Sequence, residues 1–272
     1  MSKGLHAAAL RLVEKRKNTC CGEVRLTGIE TVSEAYMIQE QTRLIMDASL
    51  IGWKASLQAD GKLLSAPVLQ CDTFNTGSTV PLPGRADHGL ECELAFLIDT
   101  SLPPRPSHGY TRSDVAPHVS GVMPAFEMLS SRLADAFRSP QAHLVADNLG
   151  NGGVVLGVPS YAWHDRSLAA IGITLSLDGQ VILSKHCTHP AGDPFDVLVA
   201  LANHLSERKL ELRAGQFVIA GSYTPAQKVR RGSKIVASFD GFQSITLSIA
   251  AEDELLASAP ASGWNLTLGA RA

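Results

Sequence analysis

The chain has 272 residues, of which 45% are hydrophobic and 18% charged, with 23 Gly and 14 Pro. This is globular composition at a length that buries a sizeable core, so collagen-like repeats, coiled coil and extended disorder are excluded. Lys and Arg number 24 against 26 for Asp and Glu, a net charge of −2, and nucleic acid is not an expected partner because no basic surplus exists to neutralise phosphates.

In chain order, residues 5–16 mix charge and Leu at helical spacing and predict a helix. Thr31-Val32-Ser33-Glu34 has capping-box spacing and predicts a second helix through about Asp47, followed by a strand entering at Leu50-Ile51-Gly52-Trp53-Lys54. The Gly61–Gly89 stretch reads as loop, rich in Gly, Pro, Ser, Thr and Asp. Glu91 to Ile98 reads as a strand, residues 113–122 as a helix, and Ala125 to Leu129 as another strand. Asp178-Gly179 and Asp240-Gly241 each punctuate a hairpin, since Asp-Gly supplies the positive φ angles of a tight turn. Asp193-Pro194 opens a helix whose stripe of Leu198, Leu201, Ala202 and Leu205 faces a core. Gly215–Gly221 gives another strand and turn, and Ala257 to Gly263 a loosely held tail. Hairpins mixed with separate helices predict an α+β fold with a mixed or antiparallel sheet.

No apolar run reaches the roughly 18 residues of a membrane helix, so no membrane partner is expected. The first residues lack the apolar stretch of a signal peptide. Five cysteines, two of them adjacent at Cys20 and Cys21, with no CxxC spacing, suit a reduced cytoplasmic chain.

Phosphate-loop, HExxH and GxSxG motifs are absent, and Val155 breaks the dinucleotide fingerprint in Gly150-Asn151-Gly152-Gly153-Val154-Val155. The informative unit is Glu91-x-Glu93. Strand alternation turns both carboxylates to one face while Cys92, Leu94 and Phe96 take the other. Their Cα atoms then lie about 6.5–7 Å apart, close enough to share one hard cation. An ordinary wet strand face gives the same pattern. Glu127 sits in apolar Pro124-Ala125-Phe126-Glu127-Met128-Leu129, where a carboxylate is costly unless paired or metal-bound. A salt bridge to Arg132 or another base and a metal site are both open. Three carboxylates without a soft ligand suit Mg²⁺ or Mn²⁺. Lys54 ends an apolar strand and either meets a substrate carboxylate or snorkels to solvent. Asp147-Asn148 before glycines reads as a turn, and His186-Cys187-Thr188-His189 as a surface loop.

At these residues the chain resembles the 2-keto-4-pentenoate hydratase branch of the fumarylacetoacetate hydrolase superfamily, which includes 4-oxalocrotonate decarboxylases. The matching segments are Glu34 to Gln39, Gly52-Trp53-Lys54, Glu91 to Phe96, and Pro124 to Glu127 followed by Ser131-Arg132. Ala146-Asp147-Asn148 with Val155-Leu156-Gly157, Leu201-Ala202-Asn203, Ala214-Gly215 and Gly221-Ser222 follow in family order. The resemblance implies a mixed β-roll core with peripheral helices and a homo-oligomer, possible association with a homologous decarboxylase or hydratase subunit included. It implies units at 1–60 (helical, packed on the core), 61–250 (catalytic β-roll) and 251–272 (tail). It implies a Mg²⁺ or Mn²⁺ ion on Glu91, Glu93 and Glu127, an α-keto acid substrate at Trp53, Asp147 and Asn148, and Lys54 in proton transfer. The activity implied is hydration of a 2-hydroxy-2,4-dienoate to a 4-hydroxy-2-oxo acid in aromatic catabolism. Decarboxylation of a 2-oxo-enedioate, acylpyruvate hydrolysis through a pair such as Glu91 and His88, and an inactive partner subunit are the alternatives. The chain departs from the pattern at Ala55-Ser56, at Pro67-Val68-Leu69-Gln70, where Asp72 is left to replace an acid/base aspartate, and at Gly232-Ser233.

Overall fold

A computed structural model describes residues 3–17, 24–82, 87–105 and 107–251. In chain order the helices are α1 (Lys3–Lys17), α2 (Val32–Ile45), α3 (Arg112–Val115), α4 (Gln141–Ala146) and α5 (Pro194–Glu207). The strands run β1 (Leu50–Leu57), β2 (Leu63–Leu69), β3 (Thr73–Asn75), β4 (Thr79–Val80), β5 (Asp87–Ile98), β6 (Val119–Leu129) and β7 (Asn151–Leu156). They continue with β8 (Ala170–Leu177), β9 (Gln180–Thr188), β10 (Phe217–Ser222), β11 (Gln227–Arg230), β12 (Lys234–Phe239) and β13 (Ile245–Ile249).

Two sheets form. The larger is curled and mixed, in the order β2-β1-β10-β5-β6-β7-β3, with β11 also on β5; the smaller runs β4-β13-β12-β8-β9. This is the α+β, β-roll architecture with peripheral helices. One face of the large sheet, through Trp53, Leu94, Phe96 and Phe126, shares the main core with Ile173, Ile235 and Ile245 of the small sheet. The same core takes Phe195, Leu198, Leu201 and Leu205 of α5. The other face carries a smaller cluster of Val68, Ala95, Met123, Ala125, Val154 and Ile219. Helices α1, α2 and α4 build a third cluster with Leu5, Leu12, Ile38 and Val145, joined to β2 through Leu64.

Local chemistry explains most boundaries. Thr31 accepts from the Glu34 amide while Glu34 reaches back to the Thr31 amide, the reciprocal cap expected for α2. Asp193 caps α5 through the Phe195 amide. Asp178 and Gly179, at φ 51° and 82°, close the β8–β9 hairpin.

Three expectations are corrected. The Gly61–Gly89 stretch is not loop throughout, because β2, β3 and β4 lie in it. Pro67 masks β2 in the sequence, yet β2 is an edge strand pairing only with β1, where a missing N–H is tolerated. The helix over 113–122 stops early: α3 gives way to a 3₁₀ turn at Ala116–His118, and Val119 already begins β6, whose residues pair along β5. His186-Cys187-Thr188 lies within edge strand β9, and Cys187 and His189 are buried. The boundary placed at 60 falls between β1 and β2, neighbours in one sheet. The tail from 252 onward, with Ala257 to Gly263, and Cys20 and Cys21 lie outside the described residues. No described helix is long and apolar enough to cross a membrane.

Candidate metal centre

Register assembles the site. Strands β5 and β6 are antiparallel with Glu91 directly opposite Glu127, and Glu93 lies two residues along β5 on the same face. One carboxylate oxygen from each of Glu91, Glu93 and Glu127 falls within 4.8 Å of the others. Lys54 comes from β1, two strands from β5 across β10, where it pairs with Ile219. Its Nζ lies 2.8 Å from Glu127 Oε1 and donates to the Leu149 carbonyl at 3.1 Å.

The cluster is expensive to bury. Glu93 is 1% exposed and Glu127 is fully buried, and three carboxylates face one ammonium. Burial, reinforced by Glu127, pushes the Glu91 carboxyl up to about 7, with Lys54 opposing. Burial and then Glu127 hold the Glu93 carboxyl well above the usual range. Burial alone would push the Lys54 ammonium down, but Glu127, Glu93 and Glu91 outweigh it and hold it above its ordinary value. Glu93 Oε2 accepts the Gly221 amide at 3.1 Å. Glu127 Oε1 accepts Asn151 Nδ2 at 2.7 Å, while Glu127 Oε2 is buried with no hydrogen-bond partner. An orphaned buried oxygen beside two further carboxylates is what a hard divalent cation satisfies, and the all-oxygen donor set fits Mg²⁺ or Mn²⁺. Glu127 is therefore both paired and clustered. Its base is Lys54, and Arg132 is used elsewhere.

The other expected site residues divide. Trp53 is not with the carboxylates. Alternation turns it to the opposite face from Lys54, into the main core, where Nε1 donates to Gln216 Oε1 at 3.3 Å. The Asp72 carboxylate is paired with Arg16 of α1 at 2.8 Å and is not part of the three-carboxylate cluster. Asp147 is buried and consumed by Arg132. Its Oδ2 accepts Ser131 Oγ at 2.7 Å and the Arg132 amide at 2.9 Å, and its Oδ1 accepts Arg132 Nε. Asn148 is buried, with Oδ1 unpartnered and Nδ2 3.5 Å from the Pro67 carbonyl. Asn148 and Leu149 both take left-handed φ values, 52° and 53°, and this tight turn presents the Leu149 carbonyl to Lys54. His88 shares the parity of Leu90 and Cys92, across the sheet from Glu91, and is buried there. The sequence reading missed Asn151, the Leu149 carbonyl and the Gly221 amide; the glycines around Asn151 were the only local signal.

The fold and the acidic cluster define a class, a β-roll with a three-carboxylate, one-lysine centre, and known proteins share the fold. The 4-oxalocrotonate decarboxylase from Pseudomonas putida G7, solved with magnesium and adipate, superposes with a TM-score of 0.76 at 20% identity, covering 90% of this chain and 97% of that one. In sequence, the chain is 27% identical over 226 residues to a 2-keto-4-pentenoate hydratase of Paraburkholderia xenovorans, 79% of this chain and 82% of that protein. It is 24% identical over 232 residues to a 2-oxo-hept-4-ene-1,7-dioate hydratase of Escherichia coli, 79% and 86% of the two. No family model matches the chain. In sequence and in fold the chain is thus similar to the 2-keto-4-pentenoate hydratase and 4-oxalocrotonate decarboxylase branch of the fumarylacetoacetate hydrolase superfamily.

Proposed function

We propose that the protein is a divalent-metal-dependent hydro-lyase that adds water to a 2-hydroxy-2,4-dienoate or 2-oxo-enoate, giving a 4-hydroxy-2-oxo acid in aromatic catabolism. The observation that carries this reading is the convergence of Glu91, Glu93 and Glu127 within 4.8 Å, with Lys54 held 2.8 Å from Glu127. The hydratase names of the sequence relatives support it. Glu91, Glu93 and Glu127 would hold Mg²⁺ or Mn²⁺, which supplies a Lewis acid for the 2-oxygen and carboxylate of an α-keto acid. Lys54 holds a proton at Nζ beside the cluster and gives the pocket a fixed positive charge that attracts the substrate's carboxylate. The apolar lining of Ala95, Ala125, Val154 and Ile219 limits water at the reacting carbons. Asn148 Oδ1, buried and unpartnered, is an acceptor available to a substrate hydroxyl.

Acylpyruvate hydrolysis is disfavoured by the placement of His88, since no Glu91–His88 pair can form across the sheet. Decarboxylation uses the same charge stabilisation, so the assay separates it. Purified protein is given 2-hydroxypenta-2,4-dienoate and 4-oxalocrotonate with Mg²⁺ or EDTA, following loss of diene absorbance and release of CO₂. Hydration with Mg²⁺, lost in EDTA and in Glu91→Gln while the circular dichroism spectrum is unchanged, is the expected result. Turnover that persists in metal-free buffer overturns the proposal, and CO₂ release without hydration reassigns the reaction. The resemblance also carries a homo-oligomer, which sedimentation measures directly.

A further inference from the structure

We propose that Asn151 is a positioning residue that decides which oxygen of Glu127 is free to bind the metal. The inference rests on the metal-site reading above. Strand β7 pairs with β6 in regular register from Leu156 to Gly153, and then slips, so that Leu129 faces Asn151 and Gly152 has no partner. Strict alternation from Val154, which lies on the carboxylate face, would put Gly152 on that face and Asn151 on the other. The bulge inserts one residue and turns Asn151 inward, a known use of bulges beside functional sites. Only glycine suits the inserted position, because a Cβ on Gly152 would lie 2.5 Å from Ser130 Cβ.

Once inward, Asn151 is locked at both ends. Its backbone carbonyl accepts Arg132 Nη1 at 2.7 Å, and Arg132 is itself tied to Asp147. Its side-chain Nδ2 donates to Glu127 Oε1 at 2.7 Å, the oxygen that also meets Lys54 Nζ at 2.8 Å. Two donors thus occupy Oε1 and fix the carboxylate plane, leaving Oε2 buried and without a hydrogen bond. A carboxylate with one oxygen pinned and the other bare is a preorganised monodentate ligand. Without Asn151, Glu127 can rotate and share both oxygens with Lys54, and the cation loses a fixed donor. The glycine-rich run around Asn151, which fits no nucleotide fingerprint, acquires a physical purpose as the bulge that delivers this amide.

The test is Mn²⁺ binding to metal-stripped protein, read by calorimetry and by the electron paramagnetic resonance signal of free Mn²⁺, with no substrate present. Asn151→Ala is expected to raise the Kd about 10- to 100-fold, the usual cost of losing an outer-shell orienting group. Asn151→Ser, which keeps a donor on a shorter arm, is expected to fall between Asn151→Ala and wild type. Ile173→Val, in the core of the small sheet, controls for lost stability and is expected to leave the Kd unchanged. A Kd for Asn151→Ala within about twofold of wild type overturns the proposal. So does failure of both Asn151 variants to fold, which would make the residue structural. Glu127→Gln run alongside separates the two levels. If it abolishes binding while Asn151→Ala does not, only the positioning role fails; if wild type takes up no Mn²⁺, the metal reading fails and takes this inference with it.

Discussion

Replacing Lys54 by Met removes the one cation that, among the described residues, pairs with the carboxylate cluster, while keeping the volume of the stem. In the metal-free protein the attraction lost is large, since unit charges 2.8 Å apart interact by about 6 kcal/mol at an effective dielectric of 20. Recovered desolvation of the ammonium offsets part of it, and breaking a buried pair from one side typically costs about 3–5 kcal/mol. The loss has a ceiling, because the cluster can take up one more proton instead. An unfolded Glu carboxyl titrates near 4.5, so that proton costs about 5 kcal/mol at pH 8 and about 2 kcal/mol at pH 6. The sign follows directly. Lys54 opposes the upward shifts of Glu91 and Glu93, so removing it raises these two further above the unfolded value; the folded variant binds extra protons and its stability falls as pH rises. Lys54→Met is therefore expected to lose about 3–5 kcal/mol at pH 8, about 10 °C in Tm for a chain of this size, and no more than about 2 kcal/mol at pH 6. Urea melts in EDTA at the two pH values measure it. A deficit under about 1 kcal/mol at pH 8, or one independent of pH, would refute the idea that Lys54 compensates a buried cluster.

Arg132→Met is expected to cost about 3–5 kcal/mol, because Asp147, 1% exposed at its side chain, is left buried and unpaired; a thermal melt within 3 °C or so of wild type would contradict it. Asp72→Asn releases Arg16 from a pair with the aspartate side chain 22% exposed, at about 1 kcal/mol or less. Its turnover should fall less than about tenfold, far short of Glu91→Gln, and a comparable loss would return Asp72 to the chemistry. His204 packs on Tyr36, and burial, with Arg208 next, pushes its imidazole down to about 4 from 6.5. The unfolded chain thus binds the proton first, and stability is lost as pH falls from about 6.5 towards 4, by about 1–2 kcal/mol after discounting for partial exposure. His204→Phe should flatten that slope relative to wild type in urea melts at pH 7 and 4.5.

What could be read from the sequence was what local chemistry decides. The Thr31–Glu34 box, the Asp178-Gly179 turn and the Asp193 cap each act within four residues, and each stands in the structure as expected. What escaped depended on neighbours distant in the chain. Strand β2 carries Pro67 and looks like loop until β1 is seen to pair on one side only. Val119 reads as helix in the sequence because its strand partner on β5, Ile98, lies about twenty residues upstream. The site divides the same way. Glu91 and Glu93 share a face by period two alone, but Glu127 joining them depends on long-range register.

That register is the step on which the chemistry turns. A slip of one residue between β5 and β6 would turn Glu127 into the main core, opposite Leu90 or Cys92, and bring Phe126 or Met128 opposite Glu91. Period-two alternation along each strand also sorts the residues that local sequence could not. Lys54 falls inside and Trp53 outside, Glu91 inside and His88 outside, although each pair lies within three residues in the chain. Asn151 is the exception, and it needs a bulge to break the alternation. Regular β5–β6 pairing delivers Glu91, Glu93 and Glu127 to one face; at residue 151, where regular pairing would deliver the wrong side chain, the backbone departs from regularity at a glycine. Deleting Gly152 removes the inserted residue, so that Asn151 adjoins Gly153 directly and takes the carboxylate face by plain alternation; Mn²⁺ binding should then be kept, unlike in Asn151→Ala. Loss of binding in the deletion variant as severe as in Asn151→Ala would mean that strand parity does not decide where this side chain points.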